Sequence, residues 1–280
     1  MSSRHLVLVA TLLALGLVMG GCAHSTIAFL AVSESTWQVW RMSPSGKGPR
    51  QVTSGSLSIS RISCAADGRR LLASTSQGDA QLIDLASGSI ARIPLQGRKA
   101  MDATLSPDGT RVAFSSSSEL YVTGIDGNQL RKVDGLPPLQ QAPAWSRDGR
   151  WIYFVSGDPG SRQDLWRVSP DTGVMEQLTT DGGHNVDVAP GPGDLFVFAS
   201  NRSGDYEVWM ARPPPAVPVR LTDHRGVDAQ PSLHRDGTEV VFERVDDGVS
   251  NIWKLRVGSN KPVQLTRRPG GARGPVWCGE

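Results

Sequence analysis

The side chains able to hold a metal or attack a substrate are few in this sequence and far apart. Its 280 residues contain five His and three Cys. His184, His224 and His234 lack the HxxxH or HExxH spacing that sets two imidazoles on one helix face around zinc. No Gly-x-Ser-x-Gly elbow presents a nucleophilic serine. One cation set stays open: His184, Asp102 and Asp228, if the fold brings their loops to a common mouth. No catalytic residue, cofactor or metal ligand is assigned. Lys and Arg total 29 against 27 Asp and Glu, a net charge of +2 that falls to +1 without Arg4. So even a balance gives no electrostatic funnel for nucleic acid.

The thiol of Cys22 is the residue with the clearest chemistry. Arg4 and His5 precede an apolar run from Leu6 to Met19, and Gly20 and Gly21 follow. A basic start, an apolar stretch and small residues before a break form a secretory signal over residues 1–21. The run is short for a membrane span, which needs about 20 residues. Met19-Gly20-Gly21-Cys22 resembles the bacterial lipobox. That resemblance implies a diacylglycerol thioether on Cys22, cleavage before it and acylation of the new amine. It also implies an outer-membrane destination, because Ala23 rather than Asp follows the lipidated residue. Several acyl chains, palmitate among them, make a stable anchor where one is marginal. Residues 22–26 would be a tether and 27–280 the folded domain.

The elements that must position any site recur along that domain. Pro143-Ala144-Trp145-Ser146-Arg147-Asp148-Gly149 leads into Trp151-Ile152-Tyr153-Phe154-Val155-Ser156; then come Asp164-Leu165-Trp166-Arg167-Val168 and Gln177-Leu178-Thr179. The same phrase returns around Asp67-Gly68, Asp108-Gly109, Pro192-Gly193 and Asp236-Gly237, with turn glycines 41, 40, 44 and 44 residues apart. Such a period marks propeller blades. Asp-Gly between two apolar runs signals a tight hairpin, because the turn needs positive φ. Apolar residues alternate or run in fours and fives, never at helical spacing. Trp40, Trp166, Trp209 and Trp253 fall on the third strand of their units and are expected to pack between blades. The last phrase, Gly274-Pro275-Val276-Trp277, matches a first strand, and Ile27-Ala28-Phe29-Leu30-Ala31 matches a second. The fold expected is all-β: a six-bladed β-propeller of four-stranded antiparallel blades, closed by pairing of the N- and C-terminal strands, which removes the exposed edge.

Trp-Ser-x-Asp-Gly, a strand with Phe-x-Ser, Leu/Ile-Trp and Leu-Thr together resemble the WD-like repeat of the TolB family, from Ile27 to Trp277. The resemblance implies the fold. TolB also carries an N-terminal α/β domain for partner binding, for which residues 23–26 leave no room.

In such propellers each first strand descends along the central channel. Asp-Gly turns then occupy one face, here the turn face, and loops leading into first strands occupy the opposite, mouth face. A four-residue tether reaches about 14 Å, so the turn face is expected beside the bilayer. The mouth face carries the candidate binding residues Arg61, Asp102, Gln140, Gln141, His184, Asn185, Asp228, Gln230 and Arg273. With Cys22 lipidated, Cys64 and Cys278 remain at the ends of neighbouring first strands, either as a ring-closing disulfide or as two buried thiols. Pro213-Pro214-Pro215-Ala216-Val217-Pro218 reads as a stiff connection on the turn face, lacking ladder donors. The function expected is a membrane-anchored, non-enzymatic scaffold for envelope proteins in a Tol-like, motility or secretion complex. The alternative is a propeller that binds a small ligand or metal at its mouth, with or without catalysis.

Overall fold

The alternating apolar runs and Asp-Gly turns form 24 strands, β1 to β24 in chain order, in a computed structural model that describes residues 25–214 and 216–279. The leader and Cys22 lie outside the described residues. The strands make six four-stranded antiparallel sheets. Five use consecutive strands and begin with an inner strand: β4 (Ile59–Cys64), β8 (Asp102–Leu105), β12 (Gln140–Trp145), β16 (Asn185–Pro190) and β20 (Val227–Leu233). The sixth joins the two ends of the chain. Its inner strand β24 (Ala272–Cys278) pairs with β1 (Thr26–Ser33), followed by β2 (Thr36–Met42) and β3 (Arg50–Gln51). Ile27 lies opposite Trp277 and Ala28 opposite Val276, so the ring closes as a six-bladed propeller. Thr26, expected in the tether, already pairs with Cys278.

The repeated phrases have local causes. In the Asp-Gly turns the carboxylate caps the hairpin: Asp148 Oδ1 accepts from Ser146 Oγ at 2.6 Å and from Arg150 N at 3.0 Å, and Asp108 does the same with Ser106 and Thr110. Gly149 holds φ at 71°, which a side chain would strain. The Leu-Thr phrase staples a blade's outer strand to its third strand. Thr53, Thr179, Thr222 and Thr266 each accept a third-strand N–H at 2.9 Å through Oγ1. Each hydroxyl also donates to a side chain one residue earlier on that strand: Gln38, Asp164, Glu207 and Asn251.

Between blades the core is aromatic. Phe29, Phe154, Phe198 and Phe242, all fully buried, stand directly opposite Trp40, Trp166, Trp209 and Trp253 on the neighbouring strand. Arg268, Arg202 and Arg244 lie over the Trp40, Trp209 and Trp253 rings at 3.8–4.9 Å. The tryptophan stripe thus packs blades together and shields cations rather than lining a ligand cage.

Candidate functional site

Each inner strand starts at the mouth face, and its first residues alternate between two destinations. Ile59, Ala100, Gln140, Asn185, Asp228 and Ala272 hold the equivalent position in the six blades, and all are buried. Two residues later come Arg61, Asp102, Ala142, Asp187, Gln230 and Gly274. In β12, β16, β20 and β24 this second residue sits on a β-bulge with positive φ, at 48°, 52°, 47° and 57°. A bulge re-aims the chain. Here it faces the central channel, a cavity of about 310 Å³ with Arg61, Asp102, Asp187, Gln230 and Gly274 in its wall.

Several residues expected on the mouth surface are therefore elsewhere. Asp228 is buried in a two-pronged ion pair with Arg244, both contacts at 2.7 Å. Asn185 accepts from Arg202 at 2.8 Å and donates to Asp181 at 2.9 Å. Gln140 is buried and accepts from Leu120 N. Gln141 stays in its ladder opposite Val155. Arg273 lies over the Trp37 ring at 4.1 Å, and burial lowers its pKa. The backbone N–H of His184 bonds to Asn201, and the residue is outside the channel wall. Of the expected set, Arg61, Asp102 and Gln230 line the channel. His184, Asp102 and Asp228 do not converge, and no three metal-binding side chains gather among the described residues. Asp187 was missed by sequence reasoning. Its signal was repeat position: it is level with Gln230, whereas Asn185 is level with the buried Asp228.

The mouth is electrostatically uneven. Arg61 Nη1 lies 3.8 Å from Asp102 and 3.9 Å from Asp187. Asp102 Oδ2 accepts from Ala142 N and Asp187 Oδ2 from Gln230 N, each at 3.3 Å, so each carboxylate also ties its blade to the next. Burial pushes the Asp187 carboxyl above the usual range, and the Asp102 charge adds to this while Arg61 opposes it. Behind it Glu243 accepts from Ser250 Oγ at 2.6 Å, its pKa likewise raised by burial.

The turn end holds Ser25, the first of the described residues. Ser25 Oγ lies 3.2 Å from His234 Nε2, and His234 Nδ1 lies 2.7 Å from Asp236 Oδ1. The His234 ring meets the Trp277 ring edge-on at 4.7 Å. Serine, imidazole and carboxylate are in series here, outside the channel wall. The contact holds Ser25 at the turn end of the ring. Nearby, Cys64 and Cys278 are joined as a disulfide with their Cα atoms 5.4 Å apart.

Comparison with known proteins agrees with this architecture. No family model matches the chain. A TolB homolog of Chlorobium luteolum is 25% identical over 162 residues, which cover 55% of this chain and 36% of the relative. The crystal structure of TolB from Acinetobacter baumannii superimposes with a TM-score of 0.78 at 19% identity, covering 91% of this chain and 67% of that one. The chain is a TolB-like six-bladed propeller. At this identity the structural likeness speaks for the fold alone, and the chain spans about a third of its curated TolB relative. The chain is also similar to YuxL of Bacillus subtilis, an uncharacterized peptidase, at 26% identity over 52% of this chain and 22% of that protein.

Proposed function

We propose that this TolB-like propeller is a lipid-anchored protein of the cell envelope that presents its mouth face to other envelope proteins and catalyses no reaction. The observation that carries the reading is the strand pairing of Thr26 with Cys278. It makes the chain leave the ring at the turn face, opposite the Arg61 mouth. Residues 23–25 then separate Cys22 from the fold by about 10 Å at most, so a lipid on Cys22 holds the turn face at the bilayer and leaves the mouth outward. Four exposed apolar side chains, Met101, Leu139, Val227 and Val249, are at that outer end. An outer-membrane position facing the periplasm, in a Tol-like, motility or secretion assembly, fits the TolB likeness and Ala23.

Two measurements test it. Metabolic labelling with palmitate should mark the wild type and not Cys22→Ala; an unlabelled wild type removes the anchor. Photo-crosslinkers placed in intact cells at Met101, Leu139 or Val249 should trap one discrete partner that crosslinkers at Ser87 or Thr172, on the turn face, do not. Equal trapping from both faces refutes the orientation.

A further inference from the structure

Arg61 is held in the channel mouth by charge alone. Its guanidinium is within ion-pair range of two carboxylates, yet both separations, 3.8 and 3.9 Å, exceed hydrogen-bond length. The guanidinium donates no hydrogen bond to any described residue, and the side chain is only 28% exposed. An arginine fork is suited to grip a carboxylate with two parallel N–H donors, and here the fork is free. Asp187 Oδ1, the atom that faces Arg61, likewise accepts no hydrogen bond, since the carboxylate's one hydrogen bond arrives at Oδ2. Unspent donors and acceptors thus stand side by side, at the top of a cavity of about 310 Å³. That is the lower end of the range for small-molecule sites. Below them the wall mixes Ala144, Ala189, Pro231, Pro275 and Val276 with Ser63, Ser232 and Arg147, whose polar groups are already bonded to Leu105 N, Trp277 N and Leu233 O.

The backbone supports the same reading. Asp187 and Gln230 are held at φ of 52° and 47°, a conformation that costs a non-glycine residue energy. The strain points both side chains at the channel. Regular ladder geometry would instead give Asp187 the alternating fate of its neighbours.

We propose that the channel mouth binds a free α-amino acid with an apolar side chain. The ligand's carboxylate sits on the Arg61 fork, its ammonium lies between Asp187 and Asp102, and its side chain points down the channel against Ala144, Ala189, Pro231, Pro275 and Val276. The amino acid supplies the acceptor and the donor that Arg61 and Asp187 lack, a few ångströms apart as the two residues are. The site requires neither the lipid anchor nor a protein partner, so it stands or falls separately from the scaffold reading.

Calorimetric titration of the full chain in detergent with leucine, valine and phenylalanine tests it, with N-acetylleucine and leucinamide as probes that lack one charge each. Saturable 1:1 binding is expected for at least one of the three amino acids. The two leucine derivatives should bind at least about tenfold more weakly than leucine, the loss expected for a missing charged hydrogen bond. Arg61→Met and Asp187→Asn should abolish binding while circular dichroism remains that of the wild type. Ser87→Ala, remote from the channel, should bind as the wild type does. Absence of saturable binding for all three amino acids overturns the proposal. So does binding that survives both Arg61→Met and Asp187→Asn.

Discussion

Cys64 ends the first inner strand and Cys278 the last, and their Cα atoms stand 5.4 Å apart although 214 residues separate them in sequence. That distance is within the span a disulfide requires. The bond crosses between the first blade and the blade that both chain ends build, the interface at which a propeller opens. A cross-link closing so long a loop restricts the unfolded chain strongly. Reduction, or the pair Cys64→Ser and Cys278→Ser, is expected to lower unfolding stability by about 2–5 kcal/mol in a urea titration. An unchanged midpoint under reducing conditions would show that the strand ladder alone closes the ring.

The Thr222 hydroxyl links Val208 N–H to the Glu207 carboxylate, and Glu207 is fully buried. Removing the hydroxyl leaves a backbone donor and one carboxylate oxygen unpartnered, although Arg220 and His224 N still hold the other oxygen. Thr222→Val should therefore cost about 1–3 kcal/mol, more than its small change in volume suggests. Glu207→Gln has one acceptor where two are used: an oxygen turned to the hydroxyl sets the NH2 against the Arg220 and His224 donors, so this variant should cost at least as much. The comparison by thermal or urea unfolding decides it; a smaller loss for Glu207→Gln than for Thr222→Val would mean that the second carboxylate oxygen does not matter.

Most of the fold was legible because its signals are local. Asp148-Gly149 and its equivalents mark hairpins, and Trp145 and Trp277 align as the same strand. From these followed the blade count and the shared closing sheet. The site was only half legible. Of the residues expected at the mouth, Arg61, Asp102 and Gln230 line the channel. Asn185 and Asp228 do not, because a β-bulge adds a residue and reverses which neighbour faces the channel. A bulge is invisible to an alternation pattern. Aligning Asp228 with Asn185, and Gln230 with Asp187, would have exposed the two levels. The burial of Asp228 by Arg244 depends on a residue of the neighbouring strand whose pairing the sequence alone did not specify.

The turn at Gly68 meets the end of the chain. A Cβ built there would lie 2.3 Å from Gly279 Cα, and φ is 64°. Backbone, not a flexible side chain, blocks the space. Gly68→Ala should destabilise by about 1–3 kcal/mol and accelerate exchange of the β24 amides, because turn strain and displacement of Gly279 act together. Gly88→Ala, also at positive φ but with open space around it, is the control and should lose less. Equal losses would assign the whole effect to backbone conformation.

Asp187 should be a residue the protein keeps at a cost to stability. Its carboxyl titrates above the ordinary range chiefly because burial disfavours the charge, with Asp102 reinforcing and Arg61 opposing. Between the unfolded value near 3.9 and the higher folded value, the native state holds more protons than the unfolded chain. Stability therefore falls as pH rises through that window, and the penalty persists undiminished above it. Asp187→Asn removes the charge but retains an acceptor for Gln230 N. Urea midpoints from pH 3 to 8 should show variant and wild type together at the acid end, with the variant equal or more stable near pH 7. A variant that is weaker at pH 7 than at pH 3, relative to wild type, would show that attraction to Arg61 outweighs the cost of burial. A neutral-pH gain in stability coupled to loss of ligand would instead identify Asp187 as retained for what it binds.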